Sequence, residues 1–121
     1  MRVIVTGSRR WFHNDGAIYD ALWKVYRERG AFHLAHGACA TGADALAVKW
    51  FLIAGKYLGC TIEAFPANWD RGPQAGPERN RRMVEAGADL VLAFPLPEGS
   101  GTQHTMTLAR EAGIEVIEHE E

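Results

Sequence analysis

The chain has 121 residues, a length that fits one domain with a core that needs no metal or disulfide support. With 13 basic and 15 acidic residues the net charge is −2, which argues against a protein that coats nucleic acid by bulk electrostatics. Two cysteines, Cys39 and Cys60, form no disulfide framework and fit free thiols in a reducing compartment. His36 and Cys39 have a spacing that could serve zinc, but no second pair follows, so no metal or cofactor is expected.

In chain order, the first strand is Arg2 to Thr6, ending in Gly7-Ser-Arg-Arg10. A helix from about Asn14 to Arg29 follows, with Ile18, Leu22, Val25 and Tyr26 on one stripe and Gly30 as its C-terminal cap. Strand two is about Ala31 to Ala35. It ends in His36-Gly-Ala-Cys-Ala-Thr-Gly42, where Thr41 is the N-cap of a helix reaching about Leu58. That helix is apolar nearly all round, a pattern expected of deep burial or of cover by a partner subunit, and it predicts a homodimer. Strand three is Thr61 to Phe65, followed by a long irregular loop, Pro66 to Gly76, of the kind that tends to be functional or disordered. Pro77 suits the first position of helix three, which ends near Gly87. Strand four is Asp89 to Phe94, helix four about Thr102 to Ala112, and strand five Ile114 to Ile117.

Strands alternating with helices imply parallel βαβ units and a Rossmann-like three-layer α/β sandwich, with helices on both faces of a five-stranded parallel sheet. The expected strand order is 3-2-1-4-5. Chain reversal then falls between strands one and four, where open α/β sheets bind ligands beyond the carboxyl ends of their strands. The chain reads as a single domain over residues 1–121. It starts directly on a strand without a signal-peptide pattern, and its most apolar stretch, Ala45 to Ala54, is short and broken by Lys49. A cytoplasmic location is expected.

Three strand ends thus run into small-residue loops that open helices, and helix N-termini present unpaired N–H groups to anions. In the first loop Gly7, Ser8, Arg9 and Arg10 offer a turn, a hydroxyl and guanidinium groups for phosphate, without a full GxGxxG pattern. In the second, Gly37 permits close approach, and Asp44 could bind a ribose hydroxyl or simply cap helix two; His36 reads as a structural histidine. In the third, Gly99, Ser100, Gly101 and Thr102 could hold a phosphate at the start of helix four, and His104 in the first turn could reach the same pocket. Arg79 and Asn80 share the face of Met83 and Val84. A core-side arginine early in a helix needs a partner, either a protein carboxylate or a bound anion. Trp11 and Trp69 lie in the candidate loops and could stack on a base, whereas Trp23 and Trp50 fit core or interface.

Val5-Thr-Gly-Ser-Arg-Arg10, His36-Gly-Ala with Gly42-Ala-Asp44, Pro66-Ala-Asn-Trp69 with Ala75-Gly-Pro-Glu-Arg-Asn80, and Gly99-Ser-Gly-Thr102 together resemble the YspA-like branch of the SLOG superfamily. That superfamily also holds the Lonely Guy phosphoribohydrolases and the DNA-processing protein DprA. The resemblance implies a Rossmann-like fold and a pocket for a nucleotide or nucleotide-derived ligand, with the protein as its sensor or processor. Glu78-Arg79-Asn80 matches the catalytic arginine of the Lonely Guy pattern. Their glycine loop, however, reads Gly-Gly-x-Gly-Thr and is followed by an essential glutamate. Here Glu98 replaces the first glycine, and Gln103, His104 and Thr105 follow Thr102. The alternatives are therefore a nucleotide-binding protein, or a nucleotide N-glycosidase using Arg79 with a substitute acid such as His104. A third is a single-stranded nucleic-acid binder using Arg9, Arg10, Arg71 and Trp69.

Overall fold

A computed structural model describes residues 1–97 and 100–120, with the backbone alone at 100. Five parallel strands form one sheet in the order β3-β2-β1-β4-β5, as the alternating pattern predicts. The strands are β1 (Arg2–Gly7), β2 (His33–His36), β3 (Thr61–Ala64), β4 (Leu90–Phe94) and β5 (Glu115–Glu118). The helices are α1 (Asp15–Arg29), α2 (Gly42–Ile53), α3 (Ala75–Glu85) and α4 (Ser100–Glu111).

The central strands read as unbroken apolar runs because both of their faces are covered. In β1, Val3 and Val5 pack with Ile18, Leu22, Ala43 and Trp50 of α1 and α2, while Ile4 packs with Met83, Val84, Met106 and Ala109 of α3 and α4. The same alternation divides Leu90, Leu92 and Phe94 from Val91 and Ala93 in β4. The edge strands behave differently. β3 and β5 are largely exposed and carry Glu63, Glu115 and Glu118, which pair with Arg2, Arg29 and Arg110. Register brings Val5 beside His36 and Gly7 beside Phe94, so the carboxyl ends of β1, β2 and β4 open on one side of the sheet.

Several boundaries differ from the pattern reading, each for a local reason. Helix α1 starts one residue later, because Asn14 is its N-cap and accepts from Ala17 N at 3.2 Å. The apolar run of α2 does not continue to Leu58. The backbone leaves the helix at Ala54, and Gly55–Leu58 forms a separate 3-10 turn, with the Trp50 ring packed where a Cβ on Gly55 would stand. Helix α2 is also not uniformly covered: Trp50 is buried on Phe32, whereas Leu52, Ile53 and Tyr57 beyond it are exposed. Helix α3 starts at Ala75, so Pro77 sits third in the helix, within the first turn, where its missing N–H is still no loss. The preceding loop is partly ordered by a 3-10 turn, Trp69–Gln74.

Candidate functional site

The turn after β1 is built around Ser8. Its N–H donates to Phe94 O at 3.1 Å, its carbonyl accepts from Trp11 N and Ala43 N, and its Oγ accepts from Arg10 N at 3.0 Å. One residue thus ties β1 to β4, to the path into α1, and to the first turn of α2. The close fit continues at Gly42. It adopts φ +75°, and a Cβ there would fall on Ser8 O and 2.5 Å from Arg9 Cα. Only glycine meets both demands. Nothing in a lone sequence marks which glycine of the second loop takes the positive φ.

In the second loop several amides turn to protein acceptors. Gly37 N and Cys39 N donate to Asp44 Oδ2 at 3.0 and 3.3 Å, Ala38 N donates to His36 Nδ1 at 3.0 Å, and Ala43 N is held by Ser8 O. The amides of Gly37, Ala38 and Cys39 are therefore engaged within the protein, and Ala38 between them adopts the left-handed region at φ 60°. Asp44 closes this loop rather than capping α2, and Thr41, at the N-cap, sends its hydroxyl to Arg9 O instead. Burial pushes the Asp44 carboxyl above the usual carboxylate range, opposed by Cys39 N–H, His36 and Arg79. Burial likewise lowers His36, with Asp44 pulling the other way. The Cys39 thiol is raised, by burial first and then by Asp44, so it stays protonated and is a poor nucleophile.

Arg79 comes from α3, on the inward face the helical spacing predicts, and only 9% of it is exposed. Its Nη1 donates to Gly37 O and its Nε to Asn80 Oδ1 at 2.8 Å. Gly37 is needed for that approach, because a Cβ would stand 2.5 Å from Nη1. Among the described residues, no carboxylate lies within ion-pairing distance of Arg79, and Nη2 has no hydrogen-bond partner. Since Arg79 Nε can only donate, Asn80 must turn its oxygen toward it. Its amide nitrogen then faces His104 Nδ1 at 3.2 Å and Gly101 O at 3.4 Å.

These residues surround a cavity of about 410 Å³, within the usual size range of small-molecule sites. Gly7, Ser8, Arg9, Arg10, Gly37, Asp44, Arg79, Asn80, Gly101 and Thr102 all line it. Val5, Thr6, Cys39 and Met83 line it too. Residues at a strand end, a methionine on a helix face and a lone thiol carry no sequence pattern that would single them out. His104 sits behind Asn80 and outside this lining. Gly99 lies outside the described residues, and for Ser100 only the backbone position at the start of α4 is given. Trp11 does not face the cavity: it is fully buried, edge-on to Phe94, with its indole N–H on Asn14 O at 2.7 Å. The turn folds this large ring inward under α1, where it completes the core. Trp69 remains outside that lining and 56% exposed.

Three arginines thus border a cavity whose lining carboxylate, Asp44, is buried and turned to backbone amides. No helix among the described residues is long and apolar enough to cross a membrane.

Comparison with known proteins agrees with this architecture. The model of the family described as YspA, cpYpsA-related SLOG matches residues 1–72. The chain is similar to the Gene 61 protein of Mycobacterium phage D29, with 41% identity over 119 residues, covering 96% of this chain and 94% of the relative.

Proposed function

The chain belongs to the YspA, cpYpsA-related SLOG family, and from that footing we propose that it binds a nucleotide or nucleotide-derived small molecule in the cavity at the carboxyl ends of β1, β2 and β4, as its sensor or processor. The observation that carries this reading is Arg79, a largely buried guanidinium that borders the cavity, with Nε and Nη1 bonded to the protein and no described protein acceptor on Nη2. The carboxylate nearby, Asp44, is turned to backbone amides, so a phosphate in the cavity supplies charge and acceptor oxygens to this cation together. Ser8, Arg9 and Arg10, and Gly101 and Thr102 from the first turn of α4, border the same space, where a helix N-terminus favours an anion.

Thermal denaturation against nucleoside phosphates, cyclic nucleotides and dinucleotides tests the reading. A ligand at about 100 times its Kd stabilises by roughly 2.7 kcal/mol. That stabilisation is expected to disappear in Arg79→Gln. Folded wild-type protein that shifts with none of these compounds refutes it.

An enzymatic form of the same reading, cleavage of an N-glycosidic bond, is supported by the linked side chains of Arg79, Asn80 and His104. Release of free base from nucleoside monophosphates, abolished by Arg79→Ala and reduced by His104→Ala, is its signature; turnover insensitive to Arg79→Ala excludes it. Binding of single-stranded nucleic acid instead predicts affinity that falls steeply with salt. The exposed Leu52 and Ile53 at the end of α2, with Tyr57 of the following 3-10 turn, support a homodimer through that region, and a monomeric mass in solution scattering contradicts it.

A further inference from the structure

A second cavity, of about 400 Å³, adjoins the first, and Arg9, Gly37, Cys39 and Arg79 border both. The rest of its wall differs in chemistry. Ala38, Ala40, Pro66 and Ala67 make it small and apolar, and Trp69 is the aromatic ring among its described lining. Thr41, the hydroxyl in that wall, already donates to Arg9 O at 2.9 Å. The Trp69 ring lies beside Gly76, at the start of α3, where a Cβ would stand 3.4 Å from it. The Arg9 guanidinium stands 5.8 Å from the Trp69 ring centroid. Arg9 therefore touches two chemistries at once: an arginine-bordered cavity on one side and an exposed indole on the other.

We propose that the ligand spans both cavities, its anionic group in the first and a planar heteroaromatic ring in the second, stacked on Trp69. Arg9 then exchanges its loose contact with the indole for the ligand's anionic group and leaves the ring face to the base. The inference rests on the reading that the first cavity takes a phosphate, and it names the ligand class as a mononucleotide rather than a sugar phosphate or a free anion. The apolar wall offers shape and stacking and few groups that could read a base edge, so a purine and a pyrimidine are both accepted.

Calorimetric titration with adenosine 5′-monophosphate, cytidine 5′-monophosphate and ribose 5-phosphate tests it on wild type, Trp69→Phe and Trp69→Ala. In wild type both nucleotides are expected to bind about tenfold to a hundredfold tighter than ribose 5-phosphate, the range of one base stacked on one aromatic ring. Trp69→Ala removes that advantage and leaves ribose 5-phosphate unchanged, while Trp69→Phe keeps most of it. Ribose 5-phosphate binding as tightly as the nucleotides, or weakening equally in Trp69→Ala, overturns the proposal while the phosphate reading stands. If folded wild-type protein binds none of the three, this proposal falls, and the phosphate reading falls with it only when the cyclic nucleotides and dinucleotides of the thermal panel also fail to bind.

Discussion

Two glycines five residues apart make opposite predictions for the same substitution. At Gly42 an alanine Cβ meets backbone, Ser8 O and Arg9 Cα, and the residue holds φ +75°. Neither contact can move without dislodging the turn after β1. The left-handed conformation costs about 1–2 kcal/mol, and overpacking against backbone adds about 1–3 kcal/mol. Gly42→Ala is therefore expected to cost about 2–5 kcal/mol, a large part of the roughly 5–15 kcal/mol that holds a domain folded. At Gly37 no positive φ is involved, and the Cβ meets the guanidinium of Arg79, at 2.5 Å from Nη1 and 2.9 Å from Cζ. That end of the side chain can swing away, so Gly37→Ala costs about 1–2 kcal/mol, the lower part of the overpacking range. It breaks the bond to Gly37 O and displaces the cation that borders both cavities. Losing one charge-assisted contact to a phosphate is worth about 1.5–3 kcal/mol, or roughly 10- to 150-fold in Kd. Thermal denaturation and nucleotide titration on both variants separate the two effects. Gly42→Ala should melt roughly 6–25 °C lower, at about 3–5 °C per kcal/mol for a chain of this size. Gly37→Ala should melt roughly 3–10 °C lower and lose most of its affinity. Wild-type affinity in a folded Gly37→Ala, or wild-type stability in Gly42→Ala, refutes the reasoning.

Acid stability should depend on His36. Its folded pKa is lowered from 6.5, so on acidification the unfolded chain takes up the proton first, and stability present above about 6.5 is lost as pH falls toward the folded value. Asp44, raised from 3.8, works in the opposite sense, with stability gained as pH falls. Melting temperature is therefore expected to drop between pH 7 and 5, to flatten in His36→Gln and to steepen in Asp44→Asn; an unchanged slope in His36→Gln contradicts this. Trp11→Ala should cost about 3–5 kcal/mol by chemical denaturation, because it empties a buried ring site. Trp69→Ala should cost less than 1 kcal/mol, and a reversed order of the two would show that their assignments are exchanged.

The sheet order was legible because each parallel crossover requires a helix between strands, and this chain alternates the two without interruption. The inward face of Arg79 was legible for a similar reason, since helical spacing aligns it with Met83. The role of the second loop was not. Its small residues look open to an anion, but whether an amide is free depends on where the side chains of His36, within the loop, and Asp44, from the first turn of α2, turn to accept from it. Trp11 and Trp69 looked alike in sequence, both aromatic residues in irregular segments. Only the three-dimensional path of the turn after Ser8 sends one into the core and leaves the other at the surface.

The edge strands set a limit on how this protein can assemble. An open sheet has two unpaired borders, each able to accept another strand. Here Glu63 stands on one and Glu115 and Glu118 on the other, and the Glu63 carboxyl is held below its usual range by its hydrogen bond to His33, with Arg2 adding to the effect. Copies meeting border to border at neutral pH would bring those carboxylates together and disturb their pairs with Arg2, Arg29 and Arg110, which works against extending the sheet from molecule to molecule. Acid strong enough to neutralise the glutamates would weaken that barrier.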